Sequence, residues 1–168
     1  MVTQPFLLDS CVFIEAAKRY YAFDLAPGFW DKLMAHAKNG DLFSIDRVKK
    51  ELEKGRDELA LWAKKDFSFA FASTNNQEII NQYSLLMNWA NLNKQYKPEA
   101  KTEFADDENA DAWLLAYAKA KNTTIVTEEQ LSLGAKRKIP IPNVCKEFGI
   151  PYINTFGVLR KLGVRLIV

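Results

Sequence analysis

Phe6 to Ile14, FLLDSCVFI, is the stretch whose reading decides the fold. Phe6, Leu7 and Leu8 form the short apolar run of a buried central strand, and Asp9 and Ser10 end it abruptly. In a parallel sheet an acid at that point stands at the carboxyl edge, where open α/β sheets build their ligand sites. The competing reading gives Asp9 the ordinary job of capping the helix that follows.

Outward from this stretch the chain alternates between two periods. Cys11 to Tyr21 has helical apolar spacing, and Pro27 opens a second helix that Gly40 closes. Leu42 to Ile45 is a brief apolar piece, after which Asp46 is placed to cap a helix running through Val48, Glu51 and Leu52 to Gly55. Asp57 to Lys65 continues as helix. Phe67, Phe69 and Phe71 then alternate with small residues and predict an extended segment with one buried face. Thr74 with Gln77 reads as a capping box before a long helix carrying Ile79, Ile80, Tyr83, Leu86 and Trp89. Asn91 to Thr102 is polar, contains Pro98 and reads as a loop or short irregular helix.

Beyond it, FADDENADAWLLAYAKAKN starts acidic and ends in lysines, the charge bias of a helix dipole. Thr123 to Thr127, TTIVT, is a β-branched strand. The tail offers a short helix near Cys145, a strand at Pro151 to Ile153, another helix and a final strand over Val164 to Val168. Strands separated by helices predict an α/β fold, with a mostly parallel sheet covered by helices on both faces.

A chain of 168 residues with 48% hydrophobic and 12% aromatic content buries one good core, so a single domain spanning 1–168 is expected. The net charge of +2 and pI near 8.4 permit a nucleic-acid partner without arguing for one. Cys11 and Cys145 are far apart and have no C-x-x-C neighbours, which suggests neither a zinc site nor a disulfide, and they read as buried small hydrophobes. No apolar run approaches the roughly 18 residues of a membrane span, and the N-terminus lacks a signal-peptide pattern. A cytoplasmic protein without membrane contact is expected.

The chemistry lies in four scattered acids. Asp9 ends the first strand, Glu51 sits on a helix, Asp111 lies early in a helix, and Glu129 follows TTIVT. Each has an ordinary explanation: Glu51 on a charged helix face with Lys49, Lys50, Glu53 and Lys54, Asp111 beside Asp106, Asp107 and Glu108 at a helix N-terminus, and Glu129 in a capping box of Thr127 and Gln130. Asp9 and Glu129, however, leave ends of the same parallel sheet, and the other two belong to helices opening at that edge. Carboxylates about 4 Å apart repel by roughly 4 kcal/mol at an effective dielectric of 20, so such a cluster needs a cation. An all-oxygen set suits Mg2+ or Mn2+ rather than zinc. The single histidine, His36, lies on a charged, alanine-rich helix and reads as a surface residue.

These residues resemble the PIN-domain nucleases. The likeness covers LLDSCVFI, VKKELEKG, ADAWLLAYAKAKNTTIVTEE and a closing small strand. It is nearest to a bacterial PIN-like branch in which D-S/T-x-x-F-I is followed by P-x-F-W, here Pro27 to Trp30. The same branch has a D-x-W-L-x-A run, here within Ala110 to Ala116, then V-T-x-E and I-P-x-V-C, here IVTEE and IPNVC. The resemblance implies a three-layer α/β/α fold carrying a helical insertion at roughly 57–104. It places Asp9, Glu51 and Asp111 at the three main acidic positions, and Thr127 and Glu129 at a T-x-D position with Glu in place of Asp. Glu128 competes with Glu129 for that role, and Asp106 and Asp107 are further candidates beside Asp111.

What the resemblance implies chemically is metal-assisted hydrolysis of RNA phosphodiesters. Mg2+ or Mn2+ would be held by Asp9, Asp111 and Glu129, with Glu51 as ligand or proton acceptor and Ser10 or Thr127 orienting a ligand or water. Lys49, Lys50, Lys54, Arg56, Lys136, Arg137 and Lys138 are candidate phosphate contacts, against the reading of a solvated loop for Lys136 to Lys138. Trp30, Trp62, Trp89 and Trp113 read as core. Many small PIN proteins are toxins of toxin–antitoxin pairs, which implies an antitoxin protein as partner, and a homodimer is compatible with the reading. Two other readings stand beside it: a PIN-like RNA-binding or scaffold module without catalysis, and a phosphatase using Asp9 as nucleophile, although Cys11 occupies the place where such a site wants a second Asp.

Overall fold

The computed structural model describes residues 4–167. Five short strands, β1 (Phe6–Leu8), β2 (Leu42–Ile45), β3 (Phe71–Ala72), β4 (Thr124–Val126) and β5 (Tyr152–Ile153), form one sheet in the order β3-β2-β1-β4-β5. Every neighbouring pair is parallel, with Leu7 opposite Phe43 on one side and Ile125 on the other. β1 is the central strand, and both Leu7 and Leu8 are fully buried. The chain winds outward to β3, returns to the far side of β1 for β4, and winds outward again to β5. The winding therefore reverses between β1 and β4, which makes the carboxyl ends of those two strands the topological switch point.

The crossovers carry the helices α1 (Ser10–Glu15), α2 (Pro27–Lys38), α3 (Asp46–Glu53) and α4 (Glu58–Lys65) before β3. α5 (Gln77–Leu92), α6 (Pro98–Ala105) and α7 (Asp111–Lys121) precede β4, and α8 (Ile141–Phe148) and α9 (Thr155–Lys161) follow it. Right-handed crossovers put helices added before and after the reversal on opposite faces. The packing agrees: α3 lies against α1 and α4, whereas α7 lies against α5, α6 and α8. The result is the expected three-layer α/β arrangement.

An aromatic cluster fills the core on the first face. Phe13 meets Phe67 edge-on at 5.6 Å between ring centroids, and Trp62 stacks on Phe67 at 4.6 Å. Trp30 and Phe23 stack at 4.0 Å, with the Trp30 indole N–H donating to the Tyr21 carbonyl. Trp113 stacks on Tyr83 at 4.0 Å on the other face. The tryptophans are core residues, with Trp89 only partly buried.

Several local expectations are corrected. The first helix is α-helical only to Glu15 and continues as a π-helical segment, Ala16–Tyr20, closed by the Tyr21 amide on the Ala16 carbonyl. Asp46 does not cap α3 with its side chain, which instead accepts from the Thr74 amide and hydroxyl at 3.1 and 2.9 Å. Thr74 is thereby taken from the expected capping box, and Asn76 caps α5 by accepting from the Glu78 and Ile79 amides. Phe67 to Phe71 is not one extended segment. Ser68–Ala70 forms a 3-10 turn because the Phe67 amide turns back to Trp62, which leaves Phe67 buried and Phe69 exposed.

Residues 57–104 are mostly helical, with short non-helical links, and also contribute the edge strand β3. The expected closing strand is absent over Val164–Ile167, and Val168 lies outside the described residues. Gly163, at φ +67°, turns the chain so that the Val164 amide returns to Leu159, and Val164–Ile167 pair with no strand. Among the described residues no helix is long and apolar enough to cross a membrane.

The strand ends are tied across the sheet. Ser44, fully buried on β2, donates its hydroxyl to the Leu8 carbonyl at 2.6 Å. Replacing it by alanine leaves that carbonyl without its side-chain donor, so Ser44→Ala is expected to lower the unfolding free energy by about 1–3 kcal/mol in a urea titration.

Candidate functional site

Asp9 follows β1 directly, and its own amide donates to the Val126 carbonyl on β4, so its position is fixed by the sheet. Its carboxylate is 2% exposed yet does not cap α1. Instead it collects donors from both sides of the switch point: Ser10 Oγ at 3.3 Å on Oδ1, and Cys11 Sγ and Thr127 Oγ1, each at 2.9 Å, on Oδ2. Thr127 in turn accepts from the Glu129 amide, and the Cys11 sulfur accepts from the Glu128 amide. Residues 127–129 are not helical, so the expected capping box of Thr127 and Gln130 does not form.

Cys11 was not singled out in the sequence as a site residue, and here it is one. It lies only two residues after Asp9 on the first turn of α1, and that spacing was the available signal. Burial, with the Asp9 charge adding to it, pushes its thiol far up, so it stays protonated and serves as a donor.

The adjacent glutamates face different tasks. Glu128 Oε1 accepts from the Thr155 amide at the start of α9. Glu129 is turned toward the acidic cleft, where burial and the Asp9 charge raise its pKa. Asp111 opens α7, and its carboxyl is held well above its ordinary value by burial and by the charges of Asp9, Glu129 and Glu51. Glu51 lies in the second turn of α3 and is not on a purely solvated face: Oε1 accepts from the Ala110 amide at 2.7 Å. Burial raises its pKa, while that amide and the Ser10 hydroxyl oppose the rise.

The four acids thus sense one another at one end of the sheet. Asp106 and Asp107 do not join them, since Asp106 accepts from the Glu108 amide and Asp107 pairs with Arg47 at 2.8 Å.

The basic candidates divide in the same way. Lys138 Nζ pairs with Glu129 Oε1 at 3.2 Å, and its charge opposes the rise at both Glu129 and Asp111. Lys54 pairs with exposed Glu108 at 2.6 Å, and Lys49 with Glu53 at 3.6 Å. Lys50, Arg56, Lys136 and Arg137 are exposed. His36 is half-buried rather than a surface residue, because its Nδ1 lies 2.6 Å from Asp41 Oδ2. Asp41 precedes β2 and holds the Phe6 amide at the amino edge, so His36 is at the opposite end of the sheet from Asp9.

The chemistry of this donor set fits a hard divalent cation: buried like-charged carboxylates, oxygen donors and no histidine. As the side chains stand, no three His, Cys, Asp or Glu among the described residues are gathered tightly enough to hold a metal ion. Glu129 leans to Lys138 and Glu51 is occupied by the Ala110 amide.

A parallel α/β domain with an acidic cleft at its switch point is the class that this fold and site define. The chain belongs to the family described as Domain of unknown function (DUF4411), whose model matches residues 6–166. Its fold is similar to that of a chain in the crystal structure of VapBC2 from Rickettsia felis bound to a DNA fragment from their promoter. The TM-score is 0.53 at 14% identity, covering 89% of this chain and 97% of that one. No curated protein matches the sequence.

Because the folded-state pKa of Asp111 is raised, ionising it costs stability, and the cost grows as pH rises above about 4, the ordinary carboxylate value. Asp111→Asn is therefore expected to raise Tm at pH 8 without added metal, by about 3 °C. That advantage should vanish as pH falls to about 4. Scanning calorimetry of both proteins across this range checks the sign.

Proposed function

We propose that this protein is a metal-dependent ribonuclease of the PIN type, acting as the toxin of a toxin–antitoxin pair. The observation that carries the reading is the gathering of Asp9, Glu51, Asp111 and Glu129 at the switch point, where burial and like charge disfavour the ionised forms of Glu51, Asp111 and Glu129. The similarity to a chain of VapBC2 supports the toxin–antitoxin part and a protein partner.

In this reading Asp9, Asp111 and Glu129 hold Mg2+ or Mn2+. The bound ion supplies Lewis acidity and an activated water for phosphodiester hydrolysis. Thr127, Ser10 and Cys11 orient Asp9, so its carboxylate is held in one direction. Glu51, with its pKa raised by burial, serves in this reading as a further ligand or as a proton acceptor. The exposed Lys136 and Arg137 are available to the phosphates of an RNA strand.

One observation favours a second reading, an RNA-binding module without catalysis: among the described residues the acids do not converge to metal-ligand geometry. Incubating the protein with RNA and Mn2+ or Mg2+ separates the two. The nuclease reading expects cleavage that EDTA abolishes and that Asp9→Asn and Asp111→Asn each reduce by about a hundredfold or more, several kcal/mol of lost transition-state stabilisation. Equal cleavage by the variants removes these residues from the mechanism. Retained RNA binding without cleavage selects the module.

A further inference from the structure

We propose that Lys138 is the resident counter-ion of the acidic cleft, an autoinhibitory contact that a divalent cation must displace from Glu129 before it binds. The inference rests on the metal-dependent reading above and concerns how that site is regulated. Lys138 Nζ is 3.2 Å from Glu129 Oε1, and Lys138 lines the same narrow space as Asp111, together with Glu103 and Asn109. One lysine thus faces acids contributed by the β4 end, by α7 and by α6.

Its placement is built by the loop that carries it. Residues 129–139 have no regular secondary structure, yet the loop is held at several points. Gln95 Nε2 donates to both the Leu133 and Ala135 carbonyls, at 2.7 and 2.8 Å, and the Lys97 amide donates to the Lys136 carbonyl at 2.7 Å. Asn143 accepts from the Ser132 amide and donates to the Ser132 carbonyl. Buried Ile139 follows Lys138 immediately and fixes the other side. The ammonium is therefore delivered to the cleft by a clamped backbone, although about half of the side chain remains exposed, at 51%. That exposure gives it somewhere to go: the stem can swing to solvent while its base stays pinned.

A lysine and a divalent cation answer the same electrostatic need, and their like charges repel when both sit against Glu129. Removing the lysine charge should then favour the metal, the opposite of what loss of a merely structural contact would do.

The test is Mn2+ binding by the full chain, read from the EPR signal of the free aquo ion and, independently, from the rise in Tm on adding Mg2+. Lys138→Met keeps the apolar stem and removes the charge. It is expected to bind Mn2+ roughly fivefold to tenfold more tightly than the parent, with Lys138→Arg within about twofold of it. Asp111→Asn should abolish binding in either background. If Lys138→Met binds Mn2+ equally or more weakly while Asp111→Asn still abolishes binding, the counter-ion role is overturned and the metal site stands. If neither the parent nor Lys138→Met binds Mn2+ at millimolar concentration, the metal-dependent reading falls and takes the role of Lys138 with it.

Discussion

A single buried carboxylate joins the two halves of the sheet. Asp9 receives the Ser10 and Cys11 side chains from its own side of the switch point and the Thr127 hydroxyl from the other, while its amide holds the Val126 carbonyl. A buried charge is tolerable only when it is hydrogen-bonded, and here the donors come from both strands that flank the reversal. The carboxylate therefore ties together two strand ends whose register the β1–β4 ladder sets. Two more acids of the cleft are positioned from those ends, Glu129 by the turn after Thr127 and Asp111 by the helix that leads into β4, while Glu51 comes from α3 after β2.

The cleft is an electrostatic compromise. Burial and mutual repulsion raise the pKa values of Glu51, Asp111 and Glu129, and they are opposed chiefly by the Ala110 amide and the Ser10 hydroxyl at Glu51 and by Lys138 at the other two. The segment 57–104 takes part in this arrangement. It supplies Gln95 and Lys97, whose hydrogen bonds hold the lysine-bearing loop, and α6, whose Glu103 faces the same narrow space. Residues far from the strand ends in sequence thereby set the charge balance at them.

The parts of this arrangement legible in the sequence are those that local physics determines. Phe6 to Leu8 is a short apolar run of the kind that makes an interior strand, and an acid directly after it stands at the carboxyl edge if the sheet is parallel. TTIVT located the second strand end in the same way. Other features depended on partners that sequence order does not reveal. Asp46 and Thr74 each looked like helix caps, but they satisfy one another across 28 positions. Lys138 looked like one of three loop cations, and only the fold shows that it faces Glu129 while its neighbours face solvent. Val164 to Val168 has strand composition, but a strand needs an edge to pair with, and the turn at Gly163 takes the chain elsewhere.

The choice between Glu128 and Glu129 was open in the sequence because the two are chemically alike. The fold gives the first to the Thr155 amide and the second to the cleft, with Thr127 and Cys11 gripping the backbone between them. Parity at this turn consequently matters more than composition. Inserting one residue between Thr127 and Glu128 would leave both glutamates present yet carry Glu128 to the position that faces the cleft and Glu129 past it, leaving the foot of the last helix without its acceptor. Length, rather than identity, is what this short connection has to preserve.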